Sequence, residues 1–360
     1  MNDVINPFQI THPTAIQTSL LASALFSKFD PSGRWIAAGK QNGSVVIWDL
    51  DTKAPVRVLD GHVRGVTSVD WSRYGRYVLT SSKDWNVIVW DLAERLAGSS
   101  TRGGGAGGGG GGLQRMKTVR FDSSVMSASF HPRNSKIILV LLSTGELFIT
   151  DLRREYRGRV ELCDTLFQRE LREREREREK LEEGEEGEGG GGGGGRQTPS
   201  SVPPPTSTSR EAKRSPITVA RFDISGRYVF AGTANGMLLV FNTRTKAMVG
   251  RHRVAGAGTM KSLDFTRNGR RLVTNSSDRT LRQFTIPNYQ QTSSSSHTNN
   301  NTNSSSNSTP MLATATTAPN VNEQELEPTH RFNDPINKTA WHVMAYSPDG
   351  EWLAGGGSFV

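Results

Sequence analysis

Apolar and polar positions along the chain fall into short runs that recur. Phe29-Asp-Pro-Ser-Gly33-Arg-Trp35-Ile-Ala-Ala leads through Asn42-Gly43 to Val45-Val-Ile-Trp48-Asp49. Trp71-Ser-Arg-Tyr-Gly75-Arg-Tyr77-Val-Leu-Thr leads in the same way to Val87-Ile-Val-Trp90-Asp91, and two further copies run Phe222 to Asn242 and Phe265 to Phe284. In all four the turn glycine (Gly33, Gly75, Gly226, Gly269) precedes the closing aromatic by 15 residues. Phe130 to Asp151 is a further, weaker copy with one extra residue, third in chain order, which makes the Phe265 copy the fifth, and Tyr346-Ser-Pro-Asp-Gly350 opens a sixth. Four or five apolar or β-branched residues, a glycine turn and a second such run predict short antiparallel strands joined by hairpins. One such unit cannot cover both of its faces, so neighbours must stack.

A period of about 40–45 residues with a Trp-Asp ending predicts an all-β WD-repeat β-propeller. This chain holds five blades and part of a sixth. The blade cores are placed at 24–50, 66–92, 125–152, 217–243, 260–286 and 341–360, within a propeller over 20–360 that follows an N-terminal segment, 1–19.

Three segments break the pattern: a Gly-rich insert (98–114), an Arg/Glu-Gly-Ser/Pro insert (165–215) and a Ser/Asn/Thr insert (288–328). None carries enough apolar surface to offset its ordering entropy, which predicts disordered loops. The Arg/Glu alternation in the second leaves a helix open. It sets opposite charges at i, i+3 but like charges at i, i+4, so pairing is only half favourable.

Composition narrows the functional classes. Of 360 residues 34% are hydrophobic and 38 are glycine, thin for a chain globular throughout. Net charge is +9, and residues 169–188 hold 6 basic and 10 acidic side chains, so the basic excess belongs to the blades. That favours acidic partners such as nucleic acid. The single cysteine, Cys163, excludes an intrachain disulfide and a Cys-rich zinc site. Seven scattered histidines without an i, i+4 pair argue against a metal centre, and no cofactor is expected. No apolar run reaches the ~18 residues of a membrane helix, and nothing resembles a signal peptide. An intracellular location without membrane partners is therefore expected.

The second copy holds the polar set expected to bond within a blade: His62, Thr80 or Ser82, Asp84 and Trp90. No paired carboxylates, activated nucleophile or ligand cluster stands out beyond it, so a non-enzyme is expected. Register with the repeat places Lys40, Arg64, Lys83, Arg251, Arg253, Arg279 and Lys338 on one rim, where cations meet phosphates with a steep salt dependence. The turns of the opposite edge are basic too, with Arg34, Arg76, Arg227, Arg270 and Arg271.

The order of these features goes further than the repeat. Asn6-Pro-Phe8, Asn42-Gly-Ser-Val-Val-Ile-Trp48-Asp, Val69-Asp-Trp-Ser72-Arg73-Tyr-Gly75, Lys261-Ser-Leu-Asp-Phe265, Asn275-Ser-Ser-Asp278-Arg279-Thr-Leu-Arg282 and Ile336-Asn-Lys-Thr-Ala-Trp341 carry a resemblance. The chain resembles, in its fungal form, the retinoblastoma-binding-protein-5-like WD-repeat subunits of COMPASS-type histone H3 lysine-4 methyltransferase complexes.

The resemblance implies a nuclear, non-catalytic scaffold. Its partners would be a SET-domain methyltransferase subunit, SPRY-domain and other WD-repeat subunits, and the nucleosome with its histones and DNA. By matching context it singles out Arg253 and Arg279 for phosphate contact, with Lys338 behind them. It also implies a seventh blade and an acidic tail, neither of which this sequence contains; the inserts depart from the family pattern. The competing expectation is an unrelated WD-repeat adaptor in ubiquitin ligation or RNA processing.

Overall fold

The computed structural model describes residues 24–93, 115–154, 158–185, 215–289, 321–333, 340–347 and 349–358. The N-terminal segment, the Gly-rich insert and Lys338 lie outside them. The chain divides into two compact units, Met1–Ser143 and Thr144–Val360. Their boundary falls in the glycine turn of the third copy.

In the first unit β1 (Ala24–Phe29), β2 (Trp35–Lys40), β3 (Ser44–Asp49) and β4 (Ala54–Asp60) form one antiparallel sheet in sequence order. A second sheet repeats it with β5 (Val66–Trp71), β6 (Tyr77–Ser82), β7 (Asn86–Asp91) and β8 (Arg115–Arg120), and β9 (Val125–His131) pairs with β10 (Asn134–Leu142). Ala37, Val45, Ile47 and Leu59 of the first sheet pack with Val66, Val69, Trp71, Val78, Ile88 and Trp90 of the second in one apolar cluster. Each sheet thus covers a face its neighbour cannot cover alone.

The second unit opens with the pair β11 (Leu147–Asp151) and β12 (Arg159–Leu162), then helix α1 (Thr165–Glu185). β13 (Ile217–Phe222), β14 (Tyr228–Thr233), β15 (Met237–Asn242) and β16 (Met248–Val254) form a sheet. So do β17 (Met260–Phe265), β18 (Arg271–Ser276) and β19 (Leu281–Thr285), whose core merges with it through Phe230, Met260, Phe265 and Phe284. β20 (Asn322–Leu326) joins β16 as a parallel fifth strand, and β21 (His330–Phe332) joins β19. The hairpin β22 (Ala340–Tyr346) and β23 (Leu353–Ser358) packs on Val273 and Leu281 through Met344. Among the described residues no helix is long and apolar enough to cross a membrane.

Two inserts differ from the expectation of loops throughout. In the Arg/Glu segment α1 takes the alternative its alternation left open. Asp164 caps it by accepting from the Phe167 N–H at 3.0 Å, and Leu166, Phe167 and Leu171 are half-buried. Docking, not surface charge pairing, holds its first turns. In the Ser/Asn/Thr insert, Tyr289 and Leu326 enter the core, and β20 gains a backbone ladder from β16.

Glycine sets the turn between the second and third strands of three copies. Gly43, Gly145 and Gly236 have φ of +91°, +85° and +78°. A Cβ on Gly43 would lie 2.3 Å from the His62 carbonyl oxygen, and one on Gly236 2.2 Å from that of Ala257. This turn therefore presses on the segment leading into the following copy, and the loops of that edge form a continuous rim within each unit.

Candidate functional site

Two arrangements of polar groups stand out, one buried and one exposed. The buried one lies in the second sheet. His62 Nδ1 is 3.0 Å from Asp84 Oδ2, and His62 Nε2 is 2.8 Å from Thr80 Oγ1, which also accepts from Trp90 Nε1–H at 3.0 Å. Asp84 further accepts from the backbone N–H groups of Val63 and Asn86. Ser82 donates to the Arg64 and Gly65 carbonyls and accepts from the Asp84 N–H. Burial pushes the Asp84 carboxyl up, but His62 and the donors around it outweigh that and hold it below its usual range. With only 1% and 3% of the His62 and Asp84 side chains exposed, the set ties loop 61–65 to β6 and β7. The His62 nitrogen that would act as a general base is taken up by buried Thr80.

Sister copies keep only parts of this set. Ala38 stands where copy two has Thr80, and Trp48 Nε1 is left without a partner among the described residues. Copy five keeps Thr274 but has Phe284 for the tryptophan, so the buried Thr274 hydroxyl has no partner among the described residues. Its Arg282, only 4% exposed, pairs instead with Asp278 and donates to Ser276 Oγ at 2.9 Å and the Gly256 carbonyl at 3.1 Å. Burial raises the Asp278 carboxyl, and Arg282 and Ser276 more than reverse this.

A second buried acid, not anticipated from the sequence, links neighbouring copies. Asp70 Oδ1 is 2.6 Å from Lys28 Nζ, and its Oδ2 accepts from the Phe130 N–H at 2.6 Å. Asp264 repeats this in the second unit, with Arg221 at 2.6 Å and the Tyr346 N–H at 3.0 Å.

The exposed arrangement is basic. In the first unit Arg64 and Lys83 are exposed on adjacent rim loops, joined by the Lys83 N–H to the Gly65 carbonyl at 3.2 Å; Lys40 is half-buried. On the opposite edge Arg34 and Arg76 are ion-paired to Asp49 and Asp91, the acids of the two Trp-Asp endings. Arg64 and Lys83 make no ion pair among the described residues. In the second unit Arg253 and Arg279 are likewise exposed without one. There Arg227 and Arg270 make no ion pair among the described residues either, because Asn242 and Thr285 stand in the Asp position.

Arg251 departs from its expected place among the rim cations. Only 19% of its side chain is exposed, and Asp164, Glu170 and Glu323 lie at 3.3, 2.9 and 3.3 Å. Burial lowers its pKa, but the three acids outweigh that and raise it. It clasps α1 and β20 to β16 and has no charge left for an external phosphate.

Comparisons with known proteins agree with this architecture. The WD domain, G-beta repeat family matches residues 12–49 and 53–91. The "Set1 complex component swd1" of Schizosaccharomyces pombe is 25% identical over 98% of this chain and 67% of its own length. The "Retinoblastoma-binding protein 5 homolog" of Drosophila melanogaster is 24% identical over 98% of this chain and 54% of its own. The chain therefore spans about two thirds of the first relative and about half of the second. The crystal structure of the Myceliophteria thermophila Cps50 (Swd1) β-propeller domain superposes with a TM-score of 0.63 at 26% identity, covering 93% of this chain and 80% of that one. Blade-like four-stranded sheets, two direct repeat matches and alignment over nearly all of this chain converge: the chain is a WD-repeat β-propeller similar to the Swd1 and retinoblastoma-binding protein 5 relatives.

Proposed function

We propose that this protein is a non-catalytic scaffold subunit of a nuclear, COMPASS-type histone H3 lysine-4 methyltransferase complex and helps seat that complex on the nucleosome. Two relatives named for the Set1 and COMPASS complexes support the assembly role. Methyl transfer belongs to a SET-domain partner; SPRY-domain and other WD-repeat subunits complete the assembly. The observation that carries the nucleosome part is that Arg253 and Arg279 are exposed and form no ion pair among the described residues, although Glu325 stands opposite Arg253 in the register of β16 and β20. Each cation that meets a phosphate releases condensed counterions, which steepens the dependence of log K on log salt by about 0.9.

The test is nucleosome binding by the wild-type chain and by a variant carrying Arg253→Glu and Arg279→Glu, across a salt series. Weaker binding with a slope shallower by about 1–2 is expected. Unchanged affinity and slope would remove the nucleosome part. Affinity capture from nuclear extract tests the assembly role: SET-domain and SPRY-domain proteins are expected, and cullin adaptors or RNA-processing factors in their place would overturn it.

A further inference from the structure

The turn between the second and third strands takes a left-handed residue in five copies, glycine in three of them. The other two carry Trp85 (φ 72°) and Arg279 (φ 65°). A bulky side chain in this backbone region is strained, and such strain persists where the surroundings impose it and is concentrated at binding sites. Trp85 is also not used to fill the core, since 40% of it remains exposed.

Its surroundings form a patch on the rim of the first unit. The Arg120 guanidinium lies over the indole at 5.8 Å, and the Phe121 N–H bonded to the Trp85 carbonyl at 2.8 Å holds the turn. Val63 is 84% exposed, and its N–H bonds Asp84, the residue before Trp85. Exposed Arg64 and Lys83 flank the pair in sequence. Asp84 adds no acidity to the surface, because its carboxylate is buried against His62.

We infer that Trp85, Val63, Arg64, Lys83 and Arg120 form a docking site for an extended acidic peptide segment bearing a large apolar side chain. The indole and Val63 take the apolar side chain, Arg64 and Lys83 take flanking carboxylates, and Arg120 holds its place over the indole. A peptide fits better than a nucleic acid. One indole face is already covered by Arg120, leaving less ring for base stacking, and exposed Val63 contributes nothing to a phosphate. The site shares no residue with Arg253 and Arg279, so its failure would leave the nucleosome reading untouched.

Trp85→Gly is the informative variant. Glycine is the residue the sister turns use, so it removes the indole while relieving the backbone. Selection of a displayed random dodecapeptide library on the full chain is expected to enrich peptides with one large apolar residue among Asp and Glu. Titration of the consensus peptide should show at least a tenfold weaker Kd for Trp85→Gly. It should weaken similarly for the Arg64→Glu, Lys83→Glu double variant, with circular dichroism unchanged. Enrichment of basic peptides, no enrichment, or an indifferent Trp85→Gly would overturn the inference. So would tighter binding of a 20-nucleotide single strand that depends on Trp85.

Discussion

Substituting Val for Thr at two positions in equivalent register is expected to shift stability in opposite directions. Thr80 and Thr274 both lie in the second strand of their sheets, and both are fully buried. The Thr80 hydroxyl serves His62 and Trp90, whereas that of Thr274 serves no group among the described residues. Thr80→Val strands Trp90 Nε1–H and His62 Nε2 in a water-free site. At about 1–3 kcal/mol for each unsatisfied buried group, less the gain from a buried methyl, the net loss is about 3 kcal/mol. Thr274→Val removes a hydroxyl that was desolvated without compensation and is expected to stabilise by about 1 kcal/mol. Hydrogen exchange read by mass spectrometry resolves the two sheets separately. Amides of Asn86–Asp91 should exchange on the order of a hundredfold faster in Thr80→Val, and those of Leu281–Thr285 about fivefold slower in Thr274→Val. Equal shifts of the same sign at both sites would refute the assignment of the hydroxyls.

Ala38→Thr should give Trp48 Nε1 the acceptor its copy lacks and raise the unfolding midpoint by the equivalent of about 1 kcal/mol in thermal melts; no rise would show that the indole nitrogen is already satisfied. Asp70→Ala, which leaves the Phe130 N–H unpaired, is expected to cost about 2–4 kcal/mol in urea titration. Asp70→Asn keeps an acceptor and loses only the partly exposed Lys28 pair, so it should cost roughly 1 kcal/mol; equal losses would assign the effect to the ion pair. The Asp84 carboxyl sits below its unfolded value of about 3.9, so its contribution is full above that pH and is lost as pH falls through the lower folded value. Asp84→Asn should therefore flatten the stability profile below about pH 4, and an unchanged profile there would contradict the pairing. Burial lowers the pKa of His252, which the Gln324 carbonyl only partly offsets. Its unfolded form therefore takes up a proton first, and stability should fall as pH drops from about 6.5 towards the folded value. His252→Gln should remove that slope.

The repeat made three strands of each sheet legible, and the physics of the fourth explains why it was not. β1 to β3 and their counterparts are framed by positive-φ turns, most of them at glycine, and include strands buried on both faces, a pattern that survives divergence. β4 exposes most of its residues, and β8 reads Arg-Met-Lys-Thr-Val-Arg, so neither carries a strong apolar period. β20, Asn-Glu-Gln-Glu-Leu, has almost no strand propensity. Its order comes from backbone pairing with β16, from Leu326 in the core and from Glu323 against Arg251. Only tertiary context supplies those terms. The same context removes Arg251 from the rim, because acids 81 and 72 residues away in sequence converge on it.

Other features were present as columns of the repeat. The residue before each leading aromatic runs Lys28, Asp70, Ser129, Arg221, Asp264, Ala345, and the two cation–acid successions are the pairs that bridge copies. The left-handed turn column runs Gly43, Trp85, Gly145, Gly236, Arg279. A repeat fold imposes the same local demand on every copy, so a residue that meets it poorly must be retained for a reason outside its own blade. The basic excess of the chain is spread over both edges and distinguishes no residue. Trp85 and Arg279 are distinguished by the backbone cost each copy bears to hold them.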